Sequence, residues 1–171
     1  MQAYNLSNLS VLVVDDNRLM RNLVRSVLFA FGVDNIEEAS DGATALEALQ
    51  KFPADIVITD WQMGPVDGLD FTRIIRTADD SPNPYLPIVM LTGHTEVNRV
   101  EEARDAGVTE FLAKPVSSWT LYKRLVKLVE QPRPFIRTRA FTGPDRRWRD
   151  CGPCGPERRA VADVQICDLA A

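Results

Sequence analysis

Histidine occurs once in this chain of 171 residues, at His94, and cysteine three times, at Cys151, Cys154 and Cys167, all beyond position 150. A disulfide framework for the preceding residues is therefore excluded, and His94 has no second histidine with which to build a metal site. No apolar run approaches the roughly 18 residues that cross a bilayer. Met1 to Ser10 has neither the basic start nor the apolar stretch of a secretory signal. The expectation is a cytoplasmic protein with reduced thiols, held together by packing. Basic charge is scarce as well: residues 1–130 carry 12 Lys/Arg against 19 Asp/Glu, a net −7, whereas residues 131–171 carry 8 Arg against 5 acidic residues, a net +3. Phosphate backbones are gripped by clustered cations, so the long acidic part does not read as a nucleic-acid binder.

What is present is apolar residues, at 45%, enough for one core and too short a chain for two large domains. From Leu9 to Glu130, short β-branched runs alternate with longer stretches of helical spacing. Strands are expected at Ser10–Val14, Asn35–Ala39, Ile56–Asp60, Ile88–Thr92 and Glu110–Ala113. The first, third and fourth are continuously apolar, as parallel strands buried on both faces require. Helical stripes follow: Leu19, Leu23, Val27 and Phe31 ahead of Gly32; Ala45, Leu46 and Leu49 after the N-cap candidate Asp41; Leu69, Thr72 and Ile75; Val97, Val100 and Ala103 ahead of Gly107; and Leu121, Leu125 and Leu128 after Ser117 or Ser118. Five βα units predict an α/β fold, a doubly wound five-stranded parallel sheet. Ligands of such sheets bind beyond the carboxyl ends of the strands.

The residues at those ends are Asp15 and Asp16 after the first strand, Asp60 closing the third, Thr92 closing the fourth, and Lys114 with Pro115 after the fifth. Three carboxylates on one rim would repel in a partly desolvated pocket unless a cation sat among them. Magnesium suits such a set, accepting one or two carboxylates with water and phosphate oxygens. A hydroxyl at Thr92 and an ammonium at Lys114 are what the outer oxygens of a phosphoryl group need. Singly, each is an ordinary strand-ending turn residue. Together they point to phosphoryl transfer.

Val11-Leu12-Val13-Val14-Asp15-Asp16, Asp60 with Met63 and Asp67-Gly68, Leu91-Thr92 and Lys114-Pro115 resemble the receiver domain of bacterial two-component response regulators, over roughly Leu9 to Glu130. The resemblance implies a flavodoxin-like strand order and a receiver domain at 1–130. It implies that Asp60 accepts a phosphoryl group from a histidine kinase or histidine phosphotransfer protein. Asp16, Asp60 and the backbone carbonyl of Gln62 would hold Mg2+, with Asp15 acting through a bound water. Thr92 and Lys114 would grip the phosphoryl oxygens, Phe111 would be a switch ring, and the Lys114–Pro115 bond would be cis. Gln62 and His94 would line the approach of the hydrolytic water and tune the lifetime of the phosphoryl group. The protein would then be a phosphoacceptor switch for a downstream partner, not an enzyme with its own substrate. The loop after Asp60 departs from the family, which usually has Pro directly after the Met: here Gly64 intervenes and Pro65 is displaced by one, removing a φ restraint.

Other readings compete. A magnesium-dependent aspartyl phosphatase of the haloacid dehalogenase type wants a second Asp two residues after the first, where this chain has Gln62. The composition of 131–144, with Pro132, Pro134, Gly143 and Pro144, resists regular structure in isolation, and residues 131–171, rich in Arg and Pro, read as a flexible or docking tail. Its loss is expected to cost at most ~1–2 kcal/mol. As an alternative, the tail is the effector, binding nucleic acid through its arginines or sensing redox through Cys151-Gly152-Pro153-Cys154, although no strand leads into that dithiol.

Overall fold

The structure is a computed structural model that describes residues 5–93, 97–138, 141–145 and 165–167. Five strands, β1 Ser10–Val14, β2 Asn35–Ala39, β3 Ile56–Asp60, β4 Ile88–Thr92 and β5 Glu110–Ala113, alternate with α1 Arg18–Ala30, α2 Gly42–Leu49, α3 Gly68–Thr77, α4 Val97–Ala106 and α5 Ser118–Glu130. The strands form one parallel sheet in the order β2-β1-β3-β4-β5. All five fall where the apolar runs place them. β3 and β4 are buried throughout, and so is most of β1, while the edge strand β2 buries fully only Ala39.

Helices α1 and α5 cover one face of the sheet, with Val24, Leu28, Leu121, Leu125 and Leu128 against Val11, Val13, Ile58 and Leu91. On the other face, Ala45, Leu49, Phe71 and Ile75 pack on Leu12, Val14 and Val57. Leu69 and Ala103 join Trp61 and Met90 there. The caps explain where helices start: the Asp41 carboxylate accepts from Ala43 N and Thr44 N, the Asn17 side chain from Leu19 N, and Ser117 Oγ from Thr120 N. Gly32 and Gly107, just beyond α1 and α4, have φ of 85° and 94°, which favours glycine.

One stripe is rotated from its expected position. Leu19 is 78% exposed and Leu23 is also exposed, whereas Val24 and Leu28 are buried. Helix α1 has apolar residues around more than one face, and only docking on the sheet selects the inner one.

The larger difference lies after Glu130. The described part of this segment is not irregular: β6 Phe135–Arg137 and β7 Thr142–Pro144 pair antiparallel as a hairpin, and β8 Gln165–Cys167 pairs on the other side of β6. Thr138 N donates to Phe141 O at 2.7 Å near the turn, and Asp145 N donates to Pro134 O at 2.8 Å at the open end. The hairpin packs beneath the sheet, at the end opposite the acidic rim. Phe135 is buried, its ring edge-on to Tyr85 and 5.0 Å from the Arg76 guanidinium carbon. Arg76 itself is buried and donates to the carbonyls of Pro84, Leu86 and Gly107. Burial lowers its pKa to about 9, which still leaves it charged at neutral pH. Thr142 and Gly143 close on Gly107: a Cβ on Gly107 would lie 2.7 Å from Thr142 O. The composition of the segment hides this, because its order comes from the surface of the five-stranded domain it covers.

Candidate functional site

The parallel strands deliver Asp15, Asp60, Thr92 and Lys114 to one rim because each stands at or just past a carboxyl end. Asp15 and Asp60 are buried and Asp16 is exposed. One carboxylate oxygen from each of the three lies within 4.8 Å of the others. Lys114 Nζ reaches Asp60 Oδ1 at 2.9 Å and Asp15 Oδ2 at 3.1 Å. Asp15 Oδ1 accepts from Asn17 N at 2.8 Å, and Asp60 Oδ1 also accepts from Trp61 N at 2.7 Å. Burial pushes the Asp60 carboxyl above the ordinary aspartate range, against the downward pull of Lys114. For Lys114, burial pulls downward, but the Asp60 and Asp15 carboxylates outweigh it and the ammonium is held above its ordinary value.

Lys114 is aimed by its backbone. Its N–H donates to Thr92 O at 2.8 Å, and the bond to Pro115 is cis, as the resemblance implied. Thr92 is buried at the end of β4. The loop from Trp61 to Asp67 contains a second cis bond, Gly64–Pro65, which the sequence did not suggest. Despite Gly64 the loop is tied at several points: Met63 is buried, Gly42 N donates to Val66 O, and Gly68 N donates to Trp61 O. At Gly68, a Cβ would run into the carbonyl oxygen of Asp60, so glycine is required where α3 leaves the strand end. Gln62 is exposed on this loop.

Phe111 is half-buried against the cluster of Trp61, Leu69, Met90, Ala103, Ala106 and Val108. Its strand partner is Met90, and Thr92 lies two residues further along the same face. His94, Cys151 and Cys154 lie outside the described residues. Two contributors escaped sequence reasoning. Arg21 donates to Asp15 O at 2.6 Å and pairs with Glu38 at 3.3 Å, bracing the turn that carries the acidic pair. Glu110, expected only as a strand start, is buried and ion-paired with Arg124, Lys127 and Arg133. Neither has a local sequence signal, since both depend on partners distant in the chain.

A carboxylate to be modified, two further carboxylates for a hard cation, and a bridging ammonium can take up and hold a phosphoryl group. Comparison with known proteins decides the family. The model of the response regulator receiver domain matches residues 11–126. The chain belongs to the response-regulator receiver family. Chemotaxis protein CheY-3 of Vibrio cholerae is 37% identical over 131 residues, covering 77% of this chain and 99% of the relative. Chemotaxis protein CheY of Pseudomonas aeruginosa is 33% identical over 123 residues, covering 72% and 98%. Among solved structures, CheY4 of V. cholerae superposes with a TM-score of 0.65 at 34% identity, covering 70% of this receiver protein and 97% of that chain. The receiver domain of the sensor histidine kinase PA1611 of P. aeruginosa, solved with a magnesium ion in its active-site cleft, gives 0.61 at 26% identity, covering 70% and 94%. The receiver protein described here is thus a two-component response regulator of the CheY type. None of its helices, among the described residues, is long and apolar enough to cross a membrane.

Proposed function

We propose that this receiver protein is a cytoplasmic phosphorylation switch whose acceptor is Asp60, loaded by a histidine kinase or histidine phosphotransfer protein and read by a downstream protein. The observation that carries the reading is Lys114 bridging Asp60 and Asp15 beside Asp16. Lys114 and the backbone N–H of Trp61 hold the Asp60 carboxylate in place as the attacking group. The remaining oxygen donors fit a hard divalent cation, and Asp16, Asp60 and the Gln62 carbonyl would hold Mg2+, with Asp15 behind a water. Bound magnesium would supply charge neutralisation on the incoming phosphoryl oxygens. Lys114 and Thr92 hold those oxygens after transfer. The protein has no substrate beyond its own carboxylate: uptake and hydrolysis of one phosphoryl group is its only chemistry, with Gln62 and His94 tuning the hydrolysis.

The test is intact-mass measurement after treatment with a small phosphodonor and Mg2+. The wild-type chain should gain one phosphoryl group and Asp60→Asn none. Undiminished labelling of Asp60→Asn would move the acceptor elsewhere.

A further inference from the structure

The C-terminal hairpin and the acidic rim sit at opposite ends of one short strand. Lys114, directly after β5, carries the ammonium bound to Asp60 and Asp15. Glu110, the first residue of β5, carries the carboxylate bound to Arg133, which leads into the hairpin. Four residues of extended chain, about 13 Å, separate the two ends. Between them Phe111 lines a cavity of about 280 Å³ whose other walls include Arg104, Arg133, Pro144 and Asp145. The hairpin meets β5 across this cavity, and the Arg133–Glu110 pair ties the two together there.

That link is contested. Glu110 Oε1 receives Lys127 at 3.0 Å and Arg133 at 3.1 Å, yet neither cation makes an aligned hydrogen bond to this buried oxygen. Arg124 holds Oε2 at 3.0 Å. Three cations share one carboxylate, two from α5 and one from the tail. A small displacement of β5 changes how they divide it.

We propose that the segment from Arg133 to Asp145 is an intramolecular output element, docked on the receiver while Asp60 is unmodified and loosened when Asp60 is phosphorylated, with β5 as the connecting rod. The proposal rests on Asp60 being the acceptor. Transfer to the ionised Asp60 replaces its single carboxylate charge with the nearly two of a phosphoryl group, a net gain of about one negative charge spread over three new oxygens at the rim. Lys114, now divided between two carboxylates, is drawn to the new oxygens and takes the end of β5 with it. Glu110 then settles on the α5 cations, Arg133 loses its partner, and Pro144 and Asp145 face a cavity they no longer help to close. Phe135 over Arg76 remains the anchor, so the hairpin loosens from its β5 side.

Hydrogen exchange on the full chain, with acetyl phosphate and Mg2+ as the donor mixture and phosphoryl occupancy read by intact mass, tests this. Amides of 135–137 and of Thr142 and Gly143 should exchange about fivefold faster or more in the phosphorylated chain, the low end of coupling between two sites. Asp60→Asn should show no change on adding the mixture. Arg133→Gln should raise exchange in the hairpin before any donor is added and shrink the phosphorylation-dependent difference; Glu110→Gln should act in the same direction. Full phosphorylation with unchanged hairpin exchange overturns the proposal and leaves Asp60 as acceptor. Failure of Asp60 to take up a phosphoryl group overturns the reading of the site and the proposal with it.

Discussion

Asp60 faces two conflicting demands when no divalent cation is bound: a nucleophile must be ionised, and burial favours the neutral acid. Its folded pKa is above the unfolded value, so its contribution to stability is complete below the ordinary aspartate range and is lost as pH rises through the raised value. In EDTA at pH 7, Asp60→Asn should therefore unfold at higher urea than wild type, and the gain should shrink as pH falls through that window. A lower midpoint at pH 7 would mean that the Lys114 pair outweighs burial. Lys114 has a raised pKa too, but as a base: its contribution is full at neutral pH and lost only as pH rises through that raised value. Lys114→Ala leaves two buried carboxylates without their shared cation and should cost about 2 kcal/mol in EDTA, below the fully buried case because solvent reaches the ammonium. Phosphoryl uptake should slow in the same variant.

At the scale of elements, the junction of β3 with α3 holds the site together. Trp61 is buried, directly follows the acceptor and donates its backbone N–H to the Asp60 carboxylate, so the fluorescence of its ring should respond to charge changes in the pocket. Magnesium titrated into a chain with Trp119 and Trp148 replaced by Phe should change the emission of Trp61, and Asp16→Ala should remove the response. A response that survives Asp16→Ala would place the cation elsewhere. Gly68 is the counterpart on α3, since no side chain fits between that helix start and the carbonyl of Asp60. The Gly64 insertion loosens one φ angle, yet Met63, Val66 and Gly68 fasten the loop on either side of it.

For the molecule as a whole, the folded unit does not stop at Glu130. Phe135 is buried, Arg76 lies beneath it on the main-chain carbonyls of Pro84, Leu86 and Gly107, and Gly107 touches the hairpin. Phe135→Ala should cost about 3–4 kcal/mol, as for other buried aromatic truncations. Removing residues 131–171 should cost at least as much, beyond the ~1–2 kcal/mol expected from composition. Urea unfolding of the 1–130 fragment decides between the two figures. A loss under 2 kcal/mol would mean that the hairpin rests on the receiver without supporting it.

The five strands, the cap at Asp41 and one at either Ser117 or Ser118, the terminating glycines 32 and 107 and the rim of Asp15, Asp16, Asp60, Thr92 and Lys114 were all readable from the chain, the structure choosing Ser117. Each depends on a local pattern: unbroken apolar runs for buried parallel strands, side-chain oxygens for helix starts, and polar residues where those runs end. Four features were not local and only the tertiary structure decided them. Which face of α1 turns inward depends on the sheet it meets, so Leu19 and Leu23 lie outside. Arg21 braces Asp15 through a main-chain carbonyl that any sequence would offer. Glu110 is a charge cluster only because α5 and the tail converge on it. The hairpin, poor in periodic apolar positions, is ordered by Arg76, Tyr85 and Gly107, residues some 30–60 positions away in sequence whose surface exists only once the receiver has folded.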